Sequence, residues 1–251
     1  MNRNYLYINC QSGIAGDMFI AACIDLGVDI DYLQSELKKL KIDEFSIKAE
    51  TINKKGIIAK YLKLTVNDTA NERHLSDINN LIDKSSLSDA VKILAKRLFF
   101  NLASAEASVH ITTIDKIHFH EVGAMDSIID IIGSAICLQQ LRILGIDEVY
   151  CSKIPLPSGT IHCNHGEISN PAPAALKLLE DFDMYKVPIK KEIITPTGAV
   201  ILKTIVKEQK DFEVFEKEMK AKNIKMIKLG YGAGTMELEK PNVLKLILFS
   251  Q

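Results

Sequence analysis

Tyr5-Leu6-Tyr7-Ile8 and the small-residue segment Ser12-Gly13-Ile14-Ala15-Gly16-Asp17 decide the fold prediction. The first segment is an apolar run short enough for a buried strand, and the second has the glycines typical of a tight turn. The apolar stretch from Met18 to Leu26 then predicts a helix. A strand, a loop and a helix in this order indicate an α/β protein.

The following segments add a second helix, a hairpin and a long helix. A helix is predicted from Tyr32 to Leu40, and two alternating runs follow at Phe45 to Ile52 and Ile57 to Val66. The segment Asn53-Lys54-Lys55-Gly56 between the runs suits a hairpin turn, so these strands should pair antiparallel. Apolar residues then recur at spacings of three and four, which predicts a long amphipathic helix. They are Leu87, Val91, Leu94, Leu98, Leu102, Ala105 and Val109.

The second half of the chain is predicted to alternate helices and strands. Residues 124–144 are so densely apolar that this helix should be buried on most sides. Asn170-Pro171 and Thr195-Pro196 each offer an N-cap followed by proline at the first helical position. The closing strands are predicted at Ile224 to Leu229 and Val243 to Phe249.

These elements predict an α/β fold of the mixed α+β kind, with a mixed sheet, flanking helices and a helical excursion around residues 74–120. A length of 251 residues with 47% hydrophobic content can bury a sizeable core. We expect a single domain over residues 1–251, with a helical subdomain over residues 74–122. No internal repeat is visible.

The composition excludes several classes of protein. Thirty-one basic residues stand against 32 acidic ones and are scattered along the chain, so nucleic acid is not an expected partner. No apolar run is long enough to span a membrane, and Met1 to Ile8 does not resemble a signal peptide. The expected location is therefore the cytoplasm. Five cysteines at irregular spacing argue against a disulfide framework.

The densest group of metal-binding side chains is His118-Phe119-His120-Glu121, followed by Asp126 and Asp130. His118 and His120 point to the same side of an extended segment, and Asp126 and Asp130 share one helical face. Imidazole suits nickel, zinc or copper, whereas carboxylate suits magnesium or manganese. Alternatively, Asp126 is a carboxylate at a helix N-terminus, where the helix dipole favours negative charge. Asp130 is then a buried acid with hydrogen-bond partners, and the histidines are packing groups of the interior.

A second candidate is His162-Cys163-Asn164-His165, which combines a thiol with two imidazoles. Cysteine selects soft or borderline ions over magnesium, and the spacing lets at least two of the three side chains approach one ion. The alternative is that Cys163 is a small core residue and that both histidines lie on a loop surface.

Three glycine-containing segments are candidates for holding a phosphate, because unpaired N–H groups at a helix start attract anions. None matches the P-loop or the dinucleotide fingerprint, and each can equally be an ordinary turn. The segments are Ser12-Gly13-Ile14-Ala15-Gly16-Asp17, Thr195-Pro196-Thr197-Gly198-Ala199 and Gly230-Tyr231-Gly232-Ala233-Gly234-Thr235.

The ordered set of motifs resembles the LarC family of nickel insertion proteins, nearly end to end. Each motif is weak alone, and it is their order that is specific. Besides the three glycine segments, they are His74-Leu75-Ser76-Asp77-Ile78, His118-Phe119-His120-Glu121-Val122-Gly123-Ala124, Gly159-Thr160-Ile161-His162-Cys163 and Pro171-Ala172-Pro173-Ala174.

The resemblance implies insertion of Ni²⁺ into pyridinium bisthiocarboxylate mononucleotide, which completes the nickel-pincer nucleotide cofactor. This is the activity of a nickel insertase, a cyclometallase of the lyase class. CTP, with Mg²⁺ or Mn²⁺, is consumed, and a lactate racemase-type apoenzyme receives the product. We also expect a homo-oligomer.

Within this resemblance the candidate residues fall into three roles. The metal ligands are predicted to be His118, His120, His162, Cys163 and His165. The catalytic carboxylates are predicted to be Glu121, Asp126 and Asp130, which position the ion or accept a ring proton. Substrate binding is predicted for Ser12, Gly13, Asp17, Thr195, Thr197, Gly198, Gly230 and Gly232.

The sequence departs from the family pattern at two places. Many relatives carry a His-rich stretch where Asn71-Glu72-Arg73-His74 leaves one histidine. Longer relatives continue into a C-terminal domain associated with metal and CTP, which is expected here as a separately encoded partner. Two other functions stay open: a subunit that only presents nickel or substrate, and a metal-dependent phosphohydrolase.

Overall fold

The computed structural model describes residues 3–42, 44–66, 73–119, 123–143, 145–163 and 166–251, with only the backbone of Ile143 and Cys163. The helices are α1 Gly16–Asp25, α2 Ile30–Lys38, α3 Leu75–Lys84, α4 Asp89–Val109, α5 Met125–Ile143, α6 Pro173–Leu178, α7 Pro196–Ile205 and α8 Phe212–Ala221. The strands are β1 Asn4–Asn9, β2 Phe45–Lys54, β3 Ile57–Val66, β4 Arg73–His74, β5 His118–Phe119, β6 Ile146–Cys151, β7 Ile154–Leu156, β8 Thr160–Cys163, β9 Gly166–Ser169, β10 Met184–Lys186, β11 Glu208–Gln209, β12 Lys225–Ala233 and β13 Val243–Ser250.

A seven-stranded mixed sheet organises the described residues, in the order β11-β6-β1-β13-β12-β3-β2. Strand β1 runs parallel to β6 and antiparallel to β13, and β12 runs antiparallel to β13 and parallel to β3. The pairs β4-β5, β7-β10 and β8-β9 form separate two-stranded sheets. The predicted mixed sheet with flanking helices is confirmed.

The predicted hairpin is confirmed, with antiparallel pairing from Phe45↔Val66 to Lys54↔Ile57. Its turn residues Lys55 and Gly56 have φ of 51° and 92°. A two-residue turn with both φ values positive matches the right-handed twist of the strands it joins. The local sequence was therefore enough to set this register.

The main core lies on one face of the sheet, beneath helices. Helix α1 packs on β12, β3 and β13 and against α5, and α4 packs on α5, α6 and α7. In α5, Ile128, Ile129, Ile131, Ile132 and Ile136 are all fully buried, as its apolar density predicted. On the opposite face α8 covers β1, with the Tyr7 and Phe215 ring centroids 5.0 Å apart.

Two local predictions were wrong. The helix expected after Asn170-Pro171 begins instead at Pro173, with Ala172 as N-cap, because the chain bends at Asn170 and Pro171 before it becomes helical. Gly230 and Gly232 lie inside strand β12 rather than in a loop. Glycine is needed at these positions because α1 packs closely on the strand. A Cβ at Gly232 would lie 1.8 Å from the Met18 carbonyl oxygen of α1.

The other predicted helix start is confirmed. Thr195 is the N-cap of α7, its hydroxyl accepts a hydrogen bond from the Gly198 N–H at 3.1 Å, and Pro196 is the first helical residue. Among the described residues, no helix is both long and apolar enough to cross a membrane.

Candidate functional site

A cavity of about 320 Å³ lies where the N-terminal ends of α1, α5 and α7 meet. The first turns of these helices supply six of its lining residues, and Asp130 is added from one turn further along α5. The six are Asp17, Met18, Asp126, Ser127, Pro196 and Thr197. The rest of the wall is Ala15, Glu192, Ile193, Thr195, Gly234, Thr235, Met236 and Asn242. Four remote segments of the chain therefore build one polar cavity.

Side chains satisfy the first N–H groups of α1. The Gly16 N–H donates to the Thr197 hydroxyl at 3.2 Å, and the Met18 N–H donates to Asp17 Oδ1 at 2.7 Å. The Asp17 N–H donates to the Asp130 carboxylate. Because helix N-termini favour negative charge, this arrangement fixes the Asp130 carboxylate in place. It also requires glycine at position 16, where a Cβ would lie 2.6 Å from Asp130 Oδ2.

The two deeper carboxylates of the cavity are hard to ionise. Burial raises the pKa of Asp17, against the hydrogen bond from the Met18 N–H, which lowers it. Burial, followed by the charges of Asp17 and Asp126, raises the pKa of Asp130 well above its usual range. Asp126 is exposed at the cavity mouth. A bound cation would remove this mutual repulsion, so the three carboxylates are a place where positive charge is favoured.

Helix α7 is tied to α1 through two threonines and a short backbone bridge. The Thr195 and Thr197 hydroxyl oxygens are 2.8 Å apart, and Thr197 is buried. The Ile14 N–H donates to the Ile193 carbonyl at 2.8 Å, and the Thr195 N–H donates to the Ile14 carbonyl at 3.2 Å. These contacts hold two helix N-termini on one cavity, where the helix dipoles favour negative charge.

The segment from Gly234 to Asn242 forms the opposite wall. The Asn242 amide donates to the Ser12 carbonyl at 2.9 Å, and its oxygen accepts from the Met236 N–H at 3.2 Å. Lys54 forms an ion pair with Glu237 at 2.5 Å, which ties this wall to the β2-β3 hairpin. The segment is thereby held to the Ser12 loop at Asn242 and to the hairpin at Glu237.

Of the predicted site residues, the structure brings Asp17, Asp126, Asp130, Thr195 and Thr197 together in this cavity. The other predicted substrate-binding residues do not line it, and four of them are glycines where chain segments pack closely. A Cβ at Gly13 would lie 2.0 Å from the Ile193 carbonyl oxygen, and one at Gly198 would lie 2.4 Å from that of Ile14. Ser12 contributes its carbonyl to Asn242, and Gly230 and Gly232 pack on α1.

The predicted metal ligands are only partly described. His118 lies on β5 opposite His74 of β4, and His162 is exposed on β8. These strands belong to separate two-stranded sheets. His120, Glu121, His165 and the Cys163 side chain lie outside the described residues. Within the described residues, no group of three or more His, Cys, Asp or Glu has the spacing of a metal site. The shared site of residues 118 and 162 stays a prediction.

Comparison with known sequences identifies the family. The sequence model described as "Nickel insertion protein" matches residues 6–251. This chain belongs to the nickel insertion protein family. The match spans every segment of the cavity wall and the sheet from Leu6 onward.

Named relatives agree with this assignment. The chain is 41% identical over 244 residues to the pyridinium-3,5-bisthiocarboxylic acid mononucleotide nickel insertion protein of Staphylococcus epidermidis, covering 97% of this chain and 59% of the relative. Two proteins of the same name are each 39% identical to this chain. The protein from Staphylococcus saprophyticus matches 98% of this chain, and the one from Desulfitobacterium hafniense matches 96%. In those two, the match covers 60% and 57% of the relative. The chain therefore spans about three-fifths of their length. No solved structure matches.

Several cavity residues of this family member were missed by sequence reasoning. Glu192 and Asn242 are two of them, and neither belongs to a motif that the sequence analysis singled out. The position of Asn242, directly before the predicted strand at Val243, was the signal available. Side chains at the ends of strands often lie where loops converge on a site.

Proposed function

We propose that this chain carries the nickel- and nucleotide-handling part of a nickel insertase, acting on pyridinium-3,5-bisthiocarboxylic acid mononucleotide. Membership of the nickel insertion protein family supports the reaction class. The observation that carries the proposal is the cavity in which three helix N-termini and the carboxylates of Asp17, Asp126 and Asp130 converge. Such a cavity has a place for positive charge beside a place for phosphate.

The charges of the proposed substrate complement this cavity. Its pyridinium ring is cationic, and Ni²⁺ adds positive charge, so both favour the carboxylate side. Its phosphate is anionic and suits the helix N-termini, with hydroxyl groups available from Thr195 and Thr197. The sulfur atoms of the substrate are soft ligands that bind nickel more readily than carboxylates do. The cavity carboxylates therefore need only guide the ion, and the substrate retains it.

Insertion requires a base, because the nickel–carbon bond forms as a ring C–H bond breaks. The C–H electron pair becomes the nickel–carbon bond, and the proton passes to a carboxylate. Asp130 suits this step because its carboxylate lies deep in the cavity and can accept a proton once it is ionised. Cationic substrate and Ni²⁺ favour that ionised form. Asp17, beside it, is the second candidate.

The remaining parts of the reaction are assigned from the family resemblance. CTP, with Mg²⁺ or Mn²⁺, is the proposed co-substrate, bound by a separately encoded C-terminal partner. A lactate racemase-type apoenzyme is the proposed recipient of the finished cofactor. We propose that the chain works in the cytoplasm as a homo-oligomer.

A maturation assay tests the proposal. Apo racemase, the bisthiocarboxylate mononucleotide, Ni²⁺ and CTP are combined with and without this chain and its C-terminal partner. Racemase activity that needs this chain, and that Asp130→Asn abolishes while its circular dichroism spectrum is retained, supports the proposal. Full activity of Asp130→Asn would remove this carboxylate from the mechanism.

The same assay separates the two rival functions. A presenting subunit would bind nickel and substrate, yet Asp130→Asn would leave the maturation rate unchanged when the partner is present. A phosphohydrolase is favoured by the carboxylates, which suit hard ions. It would release phosphate from the mononucleotide with Mg²⁺ or Mn²⁺, in the absence of nickel.

A further inference from the structure

Two histidines lie directly opposite each other on the short sheet β4-β5. His74 and His118 are paired in antiparallel register, and their ring centroids are 3.8 Å apart. Directly opposite residues of an antiparallel pair point to the same face. Both imidazoles are therefore presented together, with His74 partly buried and His118 exposed.

One contact orients the His74 ring. His74 Nδ1 lies 3.1 Å from the Ile117 carbonyl oxygen, which can only accept a hydrogen bond. A hydrogen on Nδ1 completes this contact, and in that tautomer Nε2 holds the lone pair. A carbonyl that fixes the far nitrogen in this way is the usual support of a metal-binding histidine. The His74 backbone N–H donates to Asp77 Oδ2 at 2.9 Å, which fixes the backbone as well.

The strand pair is joined to the cavity through its neighbouring residues. The Arg73 guanidinium donates to the Gly123 carbonyl, two residues before α5 begins. A Cβ at Gly123 would lie 2.3 Å from the Phe119 carbonyl oxygen, so β5 lies directly against the segment that leads into α5. Asp126, at the cavity mouth, is in the first turn of that helix.

We propose that His74 and His118 form an entry site for a borderline divalent cation, outside the carboxylate cavity. Neutral imidazole prefers Ni²⁺ to Mg²⁺ or Mn²⁺. Two protein ligands leave the other positions to water, which suits a site that must release its ion. The proposal rests on the proposed function only for the identity of the ion, and it assigns His74 a role beside His118.

Nickel titration of the full chain tests the entry site. Isothermal titration calorimetry and histidine ¹H–¹⁵N spectra are recorded with NiCl₂ for the wild type, His74→Gln, His118→Gln and the double variant. We expect substoichiometric Ni²⁺, which is paramagnetic, to broaden the imidazole signals of His74 and His118 first. Each single variant weakens this binding step, and the double variant loses it.

His110→Gln is the matched control, because His110 is a histidine of a different element, the C-cap of α4. It should leave the titration unchanged, and circular dichroism should show that all variants remain folded. An unchanged nickel titration in the folded double variant would overturn the proposal, as would broadening that spares both rings.

The entry site and the proposed function fail in different ways. If maturation fails with wild-type chain while nickel still broadens both imidazoles, the insertase function is wrong and the entry site stands. If Asp130→Asn abolishes maturation while the double histidine variant binds nickel normally, the function stands and the entry site is wrong.

Discussion

Opposing interactions act on the ionisation of the Asp130 carboxyl group. The N-terminus of α1 stabilises its carboxylate, whereas burial and the charges of Asp17 and Asp126 oppose ionisation and prevail, so its pKa is raised. The fold therefore holds a group that is costly to ionise. Such a cost is tolerated where a ligand later offsets it.

Asp130→Asn should change the pH dependence of stability. With its pKa raised in the folded state, wild-type Asp130 binds a proton more tightly when folded than when unfolded. The free energy of unfolding then falls as pH rises from the ordinary carboxyl range through the raised pKa. The free energy of unfolding of Asp130→Asn should not show this fall. The difference in stability between the variant and the wild type should therefore shift in favour of the variant from acid to neutral pH. Urea unfolding of both proteins at several pH values measures this difference in free energy. If the difference does not change with pH, the raised pKa of Asp130 is contradicted.

Thr197→Val should destabilise the junction of α1 and α7. Valine keeps the shape of the buried side chain but leaves the Gly16 N–H without its acceptor. An unsatisfied buried donor costs about 1–3 kcal/mol. Chemical denaturation measures the loss, and Thr197→Ser, which keeps the hydroxyl, is the control. Equal stability of the valine and serine variants would show that the hydroxyl does not support α1.

At the scale of elements, the contact between α1 and β12 depends on glycines, which have no side chain to keep the two backbones apart. Gly232 faces the Met18 carbonyl and Gly230 faces that of Ala22, so the helix backbone lies directly on the strand. This close approach places the first turn of α1 beside Gly234, where both line the cavity. Strand glycines of this kind act by bringing two backbones together.

Gly232→Ala should push α1 away from the sheet. The added Cβ has no room against backbone atoms, and overpacking of this kind costs roughly 1–3 kcal/mol. Gly133→Ala on α5 is the control, because its Cβ would meet the flexible end of Ile20 and alanine favours helix. Thermal denaturation should rank Gly232→Ala well below Gly133→Ala. The reverse order would refute the close contact.

At the scale of the whole molecule, hard cations should stabilise the fold through the cavity. Mn²⁺ binds carboxylates rather than imidazoles, so it should draw the Asp126 and Asp130 carboxylates together and raise the unfolding temperature of the wild type. Saturation at a hundredfold excess over Kd corresponds to about 2.7 kcal/mol. The double variant Asp126→Asn with Asp130→Asn should lose the effect. The double variant of His74 and His118 should keep it, and loss there would place the ion elsewhere.

Local signals in the sequence predicted the elements better than their assembly. Asn53-Lys54-Lys55-Gly56 predicted the hairpin because a few adjacent residues set the geometry of a turn. Thr195-Pro196 predicted a helix start because an N-cap and the proline after it also act locally. Gly230 and Gly232 were taken for a loop because only the distant Met18 and Ala22 explain glycines inside a strand. The pairing of His74 with His118 depends on strand register across 44 positions and leaves no trace in either segment.

The position of β13 within the sheet governs when the cavity can exist. This strand lies between β1 and β12, and in the sheet no other described strand joins the half containing β1 and β6 to the half containing β12, β3 and β2. During synthesis, both halves emerge from the ribosome before Val243–Ser250 do. A nascent polypeptide therefore has its carboxylates and threonines early but lacks their common enclosure until β13 inserts between the two halves.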